Sequence, residues 1–274
     1  MAFAGEVAWI TGASSGIGAA MARALAADGA KLILSGRNAD ALAAVAADCG
    51  DALVLPFEVT DHAAALEAAD KAWDWAAARS GGIDILVNNA GISQRSLAVD
   101  TDYTVYERII AVDLLAPISL TQALLDRMVA RQKGRIVMIS SIAGKVGAPM
   151  RTAYSAAKFG LIGYADSLRT EVSHLGVQVH VIAPGSIRTD VSRNALTADG
   201  SRRGVTDKAI ERGFDPADAV ATMLAAMAAG EREIIVARGF ELEIGELRRT
   251  PDALHDKMAA LITAGYAAKM EEVE

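Results

Sequence analysis

The sequence predicts a doubly wound α/β fold, in which helices cover both faces of a parallel sheet. Two observations lead to this prediction. Short apolar segments alternate along the chain with longer stretches of helical periodicity, and 52% of the residues are hydrophobic, which is enough to build a large core. The length of 274 residues suits one domain, or at most two small ones, and we take residues 1–274 as a single domain.

The strand candidates are short and rich in aliphatic residues: EVAWI, KLILS, ALVLP, IDILV, GRIVMIS, VQVHVIA and EREIIVA. Between them, apolar periodicity predicts helices over residues 39–48, 61–79, 102–132, 152–174 and 215–230. Right-handed crossovers place such helices on both faces of the sheet, and ligands bind beyond the carboxyl ends of the strands. We therefore expect functional residues directly after strands.

A glycine-rich loop, TGASSGIG, follows the first strand candidate and precedes a helical stretch. Gly12 suits a tight turn, Gly16 leaves room for a pyrophosphate, and Gly18 lets the helix pack close to the strand. Free N–H groups at the start of the helix attract phosphate. The spacing is G-x3-G-x-G, not the commoner G-x-G-x-x-G, and a structural turn without a ligand explains many such loops.

A tyrosine and a lysine stand one helical turn apart in AYSAAK, with Ser141 thirteen residues before the tyrosine. Tyr154 and Lys158 can therefore project from one helix face. A fixed positive charge beside a phenol favours the phenolate and lowers a pKa that is ordinarily about 10. Taken singly, these residues read as a packed aromatic, a solvated lysine and a strand-end cap.

Five elements in fixed order are far more specific than any one of them. The glycine loop, Asn88-Asn89-Ala90-Gly91, Ser141, Tyr154-x3-Lys158 and Pro184-Gly185 together resemble the short-chain dehydrogenase/reductase family over about residues 5–240. The resemblance implies a Rossmann-type domain that binds a nicotinamide cofactor and catalyses hydride transfer between a carbonyl compound and an alcohol.

The resemblance also implies the catalytic roles. Tyr154 is the general acid or base, Lys158 binds the nicotinamide ribose and lowers the pKa of Tyr154, and Ser141 donates a hydrogen bond to the substrate oxygen. The family usually adds an asparagine that holds a water chain, and the matching position is Asp113. Asp113 could hold that water, pair with Lys158, or be protonated in an apolar helix; the sequence leaves these three open.

The cofactor-binding candidates come from the glycine loop, the carboxyl ends of later strands and the Tyr-Lys pair: Gly12, Ser14, Ser15, Gly16, Ile17, Gly18, Arg37, Asn38, Glu58, Val59, Asn89, Ala90, Gly91, Tyr154, Lys158, Pro184, Gly185, Ile187 and Thr189. Glu58 stands where the family usually has an aspartate near the adenine. No metal site is expected.

The choice of cofactor depends on the end of the second strand. An acidic residue there would bind the ribose hydroxyls and favour NAD, but that position holds Gly36, and Arg37 follows it. An arginine can bind a 2′-phosphate, with Ser14 and Asn38 adding neutral hydrogen bonds. We therefore expect NADP(H), with NAD(H) as the alternative. Ser15 departs from the basic residue that many NADP-preferring relatives have just before the middle glycine.

Two segments lie outside the alternating pattern. Residues 185–214 have little apolar periodicity, and we predict a substrate-covering loop there, with a plain surface excursion as the alternative. Residues 240–274 form a C-terminal extension in which residues 251–270 read as an amphipathic helix. That helix could cap the cleft, join a subunit interface or pack on the domain.

Composition limits the partners. The net charge of −7 argues against nucleic acid, and the absence of a signal segment and of about 18 consecutive apolar residues predicts a cytoplasmic protein without membrane insertion. Relatives of this type commonly form homodimers or homotetramers. We expect a mainly apolar carbonyl or alcohol substrate. The alternatives are a catalytically silent NADP(H)-binding or sensor protein, and a related lyase or epimerase on the same fold.

Overall fold

The computed structural model describes residues 1–263, and its centre is a seven-stranded parallel sheet in the order β3-β2-β1-β4-β5-β6-β7. The strands are β1 Val7–Thr11, β2 Lys31–Ser35, β3 Ala52–Val54, β4 Ile85–Asn88, β5 Gly134–Ile139, β6 Val177–Pro184 and β7 Glu233–Val236. Each strand falls within one of the apolar segments named above or extends it by one residue. The predicted doubly wound α/β fold is therefore confirmed.

Helices connect the strands and cover both faces of the sheet: α1 Gly16–Ala27, α2 Ala39–Ala47, α3 His62–Ser80, α4 Tyr103–Ile110, α5 Ala116–Ala130, α6 Thr152–Val172, α7 Lys208–Glu211, α8 Pro216–Ala228, α9 Phe240–Leu247 and α10 Asp252–Thr263. A π-helical turn, Ala111–Leu115, joins α4 to α5, and a 3₁₀ turn, Ile142–Gly144, follows β5. A second 3₁₀ turn, Ser173–Leu175, extends α6.

The sheet separates two apolar cores, because successive side chains of a strand point to opposite faces. Ile10 of β1 packs in one core with Met21 of α1, whereas its neighbour Trp9 packs in the other with Ala72 of α3. All five residues of β1 are buried. Burial on both faces explains why these strands read as unbroken apolar runs rather than as alternating patterns.

The helix boundaries agree closely with the predicted ones, with three differences. The long helix predicted over residues 102–132 is interrupted by the π-helical turn, and α7 and α9 had no counterpart in the sequence analysis. The predicted helix over residues 251–270 is present as α10, and residues 264–270 lie outside the described part of the chain.

The unit Tyr103–Ala130 is the one helix among the described residues that is long and apolar enough to cross a membrane, by length and composition. The unit also contains the charged residues Glu107, Arg108 and Asp113, so it has no run of about 18 apolar residues, and the absence of membrane insertion stays a prediction. A core helix of a globular domain passes the same test, and this one packs against α3 and α6.

The strand order reverses between β1 and β4, so their connections leave in opposite directions and open a crevice at the carboxyl edge. Residues 185–214 cross this edge. Leu196 in that segment is buried, and it accepts a hydrogen bond from Arg95 N–H at 2.8 Å while donating its own N–H to Ser93 O at 2.7 Å. The segment is thus tied to the loop after β4 and lies over the crevice.

Candidate active site

One cavity of about 540 Å³ lies at the carboxyl edge of β1, β4, β5 and β6. Every candidate site residue named from the sequence lines it, except Gly18 and Asn38. A larger, more open groove of about 990 Å³ adjoins it on the outer side of the glycine loop, and none of the catalytic candidates lines that groove. The cavity therefore joins the cofactor and catalytic candidates in a single site.

The glycine loop forms a cradle that side chains would fill. Gly12 and Gly16 have φ of +63° and +54°, which L side chains rarely adopt. A Cβ on Gly12 would lie 2.9 Å from Ala90 Cα, and one on Gly18 would lie 2.3 Å from Gly12 O. Gly18 does not line the cavity; its missing side chain allows α1 to pack close to the end of β1. An open loop at the N-terminus of α1 fits a pyrophosphate.

Thr11 holds the glycine loop to the end of β4, and the sequence analysis gave it no role. Its Oγ1 accepts hydrogen bonds from Asn89 N–H at 3.0 Å and Ala90 N–H at 3.1 Å. Asn89 Nδ2 donates in turn to Thr11 O at 2.9 Å and to Gly12 O at 3.2 Å. A threonine that ends a strand directly before a glycine loop is the signal that could have indicated this role.

At the adenosine end of the cavity, Arg37 is exposed and lies opposite Glu58. Arg37 Nη1 is 3.7 Å from Glu58 Oε2. Gly36 leaves space there, since a Cβ on it would meet Ser14 Oγ only at 3.8 Å. Asn38 does not line the cavity, and its side chain accepts a hydrogen bond from Ala41 N–H at 3.0 Å and caps α2, so its contact with the cofactor stays a prediction.

The three catalytic candidates come from β5 and α6. Ser141 is the second residue after β5; its Oγ accepts from Ala143 N–H at 3.1 Å and donates to Pro184 O at 3.4 Å. Tyr154 lies in the first turn of α6, and Lys158 follows one turn later, with its Nζ 5.6 Å from the Tyr154 ring centroid. The i,i+4 spacing therefore gives the juxtaposition that the sequence indicated.

A fully buried ion pair connects Lys158 to Asp113. Lys158 Nζ lies 3.1 Å from Asp113 Oδ2 and donates to Ile139 O at 2.9 Å. Asp113 Oδ1 accepts from Ile92 N–H at 2.9 Å. Asp113 Oδ2 has no well-directed hydrogen bond from any described residue. Of the three roles left open for Asp113, the structure has the pairing with Lys158.

The pair differs from an ordinary surface ion pair in its electrostatics. Burial raises the pKa of Asp113, although Lys158 and the Ile92 N–H act in the opposite direction. Burial lowers the pKa of Lys158, but the charge of Asp113 and the neighbouring Tyr154 outweigh it, so that pKa is raised. Lys158 therefore keeps its proton, and part of its field is directed at Asp113 rather than at Tyr154.

Two basic residues in the loops after β4 and β5 form ion pairs within the domain and do not line the cavity. Lys145 forms a buried ion pair with Glu233 of β7. Arg95 is buried, and its Nη2 lies 2.6 Å from Asp207 Oδ2. The cavity is lined on this side by Ile92, Leu196 and Arg202. This side of the cavity is therefore mainly apolar, with Arg202 as a basic residue at its wall.

Further lining residues were not identified from the sequence: Phe57, Thr60, Arg108, Ala111, Val112, Ser140, Asp190, Val191, Asn194 and Ile210. Most of them are contributed by the π-helical turn and by residues 185–214, whose positions depend on long-range packing. No group of three or more His, Cys, Asp or Glu side chains within residues 1–263 is arranged to hold a metal ion.

Comparison with known proteins gives consistent matches. Residues 6–200 match the short chain dehydrogenase family. The chain is 38% identical over 242 residues to "Dehydrogenase/reductase SDR family member 7B" of Danio rerio, covering 85% of this chain and 77% of the relative.

Two solved structures extend the comparison to the fold. A short-chain dehydrogenase from Streptomyces avermitilis superposes with a TM-score of 0.77 at 29% identity, covering 95% of this chain and 97% of that one. A metagenomic short-chain oxidoreductase, solved in complex with NADP, superposes with a TM-score of 0.69 at 31% identity, covering 88% of this chain and all of that one. The chain therefore belongs to the short-chain dehydrogenase/reductase family.

Proposed function

We propose that this protein is an NADP(H)-dependent oxidoreductase that interconverts a mainly apolar carbonyl compound and its secondary alcohol. One observation carries the proposal: Ser141, Tyr154 and Lys158 line the same cavity as the glycine cradle. A nicotinamide cofactor held in that cradle would have these side chains beside its reactive end. Family membership supports the oxidoreductase class, and the finer statement is based on the residues.

Each residue has a chemical task in this reaction. When bound, the cofactor supplies or accepts the hydride. The Tyr154 hydroxyl gives a proton to the substrate oxygen during reduction and takes it back during oxidation, which is worth about 10²–10⁴-fold in rate. Ser141 Oγ donates to Pro184 O at the long distance of 3.4 Å, so this bond is readily exchanged for one to the substrate oxygen. Lys158 keeps a positive charge near the phenol.

The preference for NADP(H) is supported by charge and space. Arg37 and Ser14 line the cavity beside Gly36, where an acidic residue would oppose a 2′-phosphate. The metagenomic relative was solved with NADP. Glu58 acts against the preference, because its carboxylate faces Arg37. NAD(H) is the alternative cofactor.

The first experiment is a binding titration of NADPH and NADH with the wild type and Arg37→Ala. We expect tighter binding of NADPH, and a loss of about tenfold for NADPH alone in the variant, because a charge-assisted contact to the phosphate is removed. Equal binding of both cofactors, unchanged by the substitution, would refute the NADP(H) preference. No binding of either would refute the dehydrogenase function. Arg23→Ala, a surface arginine paired with Asp48, is the control.

A silent NADP(H)-binding or sensor protein is the second candidate, and the buried Asp113–Lys158 pair favours it because the pair withdraws charge from Tyr154. Turnover of any member of a ketone panel, followed at the reduced-nicotinamide absorbance, excludes the silent protein. Product formation without net change of that absorbance would instead indicate the lyase or epimerase alternative.

Self-association is also part of the proposal. Leu115 is 55% exposed at the π-helical turn, and Phe159 is 36% exposed on α6, on the two helical units through which relatives of this type commonly associate. Light scattering is expected to give a dimer or tetramer, and Leu115→Glu is expected to lower the mass. A monomeric wild type would contradict this. The cytoplasmic location stays a prediction.

A further inference from the structure

The helix α9 belongs to the C-terminal extension, yet one of its faces is directed at the active site. Glu241 and Gly245 stand one turn apart on α9 and therefore share a face. Glu241 contacts the turn after β6, and Gly245 contacts the residue after Ser141. These two contacts lie on opposite sides of the cavity edge, so α9 connects the two loops that carry Gly185 and Ser141.

On the cofactor side, the Glu241 carboxylate receives two hydrogen bonds from one residue. Ser186 N–H donates to Oε2 at 2.8 Å, and Ser186 Oγ donates to Oε1 at 2.8 Å. A carboxylate accepts both donors in charge-assisted hydrogen bonds, whereas a carboxamide would make only neutral ones, with its NH2 donating to the Ser186 hydroxyl. Ser186 O accepts from Phe214 N–H at 2.9 Å, so the backbone of Ser186 is held from both sides.

Gly185 shows how closely the carboxylate approaches the cavity wall. A Cβ on Gly185 would lie 2.4 Å from Glu241 Oε2 and 3.0 Å from Ala237 Cβ, so only glycine allows this approach. Gly185 and Ile187 themselves line the cavity. Glu241 therefore stands directly behind the wall, and it fixes the residue between two lining residues.

On the substrate side, the approach of α9 is equally close. A Cβ on Gly245 would lie 2.8 Å from Ile142 Cδ1 and 3.2 Å from Ile235 Cγ2. Ile142 follows Ser141 and begins the 3₁₀ turn after β5. A displacement of α9 would therefore change the positions of both Gly185 and Ser141.

We propose that Glu241 is a positioning residue that holds the Gly185–Ile187 wall in its cofactor-binding form, and that α9 completes the active site. The part of this proposal that concerns the cofactor rests on the proposed function. The structural part, that Glu241 fixes Ser186, does not. The proposal thus assigns α9 of the C-terminal extension to the active site itself.

The test compares Glu241→Gln with Glu243→Gln. Glu243 lies on the same helix, is exposed and makes no side-chain hydrogen bond or ion pair within residues 1–263. Hydrogen exchange of the Ser186 amide is measured without cofactor. Because the substitution replaces a charge-assisted hydrogen bond from Ser186 N–H by a weaker neutral one, we expect exchange to be about tenfold faster in Glu241→Gln and unchanged in Glu243→Gln. Equal exchange in both variants would overturn the proposal.

Cofactor binding gives a second readout. We expect Glu241→Gln to weaken the binding of NADPH and NADH by a similar factor of about tenfold, since the wall is common to both cofactors. A change in melting temperature with unaltered cofactor affinity would indicate a merely structural role and overturn the proposal. If the wild type binds neither cofactor, the proposed function fails, while the amide exchange still decides whether Glu241 fixes the wall.

Ser186→Ala provides an independent route should Glu241→Gln fold poorly. It removes the hydroxyl donor and keeps the amide donor, so we expect a smaller weakening of cofactor binding, about threefold. In the double variant the two losses should not add, because both act through one contact. Additive losses, or no loss in Ser186→Ala, would contradict the proposed role of Glu241.

Discussion

At the scale of single residues, the unusual feature is a carboxylate beside Lys158. Asp113 is wholly buried, and its Oδ2 approaches Lys158 Nζ without a well-directed hydrogen bond. A negative charge on Asp113 beside Lys158 reduces the electrostatic effect of the lysine on Tyr154. Tyr154, Lys158 and Ser141 line one cavity together with Asp113.

Asp113→Asn is expected to keep or raise kcat/KM. The asparagine Oδ1 can still accept from Ile92 N–H, and the loss of negative charge returns the field of Lys158 to Tyr154. Steady-state kinetics on the best ketone substrate measures the effect. Asp113→Ala is the matched control and should lower activity, since it leaves the Ile92 N–H without an acceptor. A loss above about tenfold in Asp113→Asn, roughly 1.4 kcal/mol, would mean that the acid itself is needed.

Glu58→Gln tests the acidic residue that lies opposite Arg37. Its carboxylate faces Arg37 at 3.7 Å and would repel a 2′-phosphate bound there. Both side chains are largely exposed, so we expect a modest gain of about threefold in NADPH affinity and little change for NADH. Titration of both cofactors is the measurement. A similar change for the two cofactors would argue against a phosphate near Arg37.

At the scale of elements, the parts that the sequence did not indicate are those held by long-range contacts. The π-helical turn brings Asp113 into the site, and such turns are frequent at functional positions. Lys145, just after the 3₁₀ turn, pairs with Glu233 of β7, and Glu233 Oε2 also accepts from Thr250 N–H at 2.7 Å. The start of α10 is thus linked to the loop of Ser141.

Glu233→Gln is expected to destabilise the protein by about 3 kcal/mol, because it leaves the ammonium of Lys145 buried without a charged partner. Denaturant unfolding measures the change. Glu231→Gln, two residues earlier and exposed, is the control and should have little effect. Unaltered unfolding of Glu233→Gln would show that the pair does not contribute to stability.

At the scale of the whole molecule, buried histidines connect β6 and the C-terminal helix around Arg169. Arg169 Nε donates to Val179 O at 3.0 Å, and Nη1 lies 3.4 Å from the ring nitrogens of His255. His180 Nδ1 lies 2.7 Å from Glu231 O, and its Nε2 has no partner among the described residues. Burial lowers the pKa of both histidines, and the charge of Arg169 acts in the same direction.

Below about pH 6.5, the free energy of unfolding is therefore expected to decrease as the pH is lowered. In this range the unfolded chain binds protons that the two buried histidines of the folded chain do not bind, because their pKa values are lowered. Their contribution to stability is therefore complete above the unfolded pKa and is lost as the pH decreases. Denaturant unfolding at about pH 7.5 and pH 5.5 checks this. His180→Gln should reduce the pH dependence, and the exposed His174→Gln should not. Equal pH dependence in wild type and His180→Gln would exclude His180 as the cause.

Much of the fold was predictable because its signals are local. Apolar strand segments, helical periodicity and the glycine loop each lie within a few residues of chain, and the α/β architecture derived from them is confirmed. Tyr154 and Lys158 share a helix face for the same reason. Asn38 shows what the local signal left out, since a residue after a strand can also cap the next helix.

The sequence by itself determined the strand and helix pattern, the edge of the sheet where ligands bind, and the residues gathered there. Only the tertiary structure decided which of them are paired: Asp113 with Lys158, Arg37 with Glu58, Lys145 with Glu233, and Glu241 with Ser186. Members of each pair are between about 20 and 90 residues apart. Helical periodicity relates residues within one or two turns, whereas these contacts form only when the crossovers have packed distant elements together.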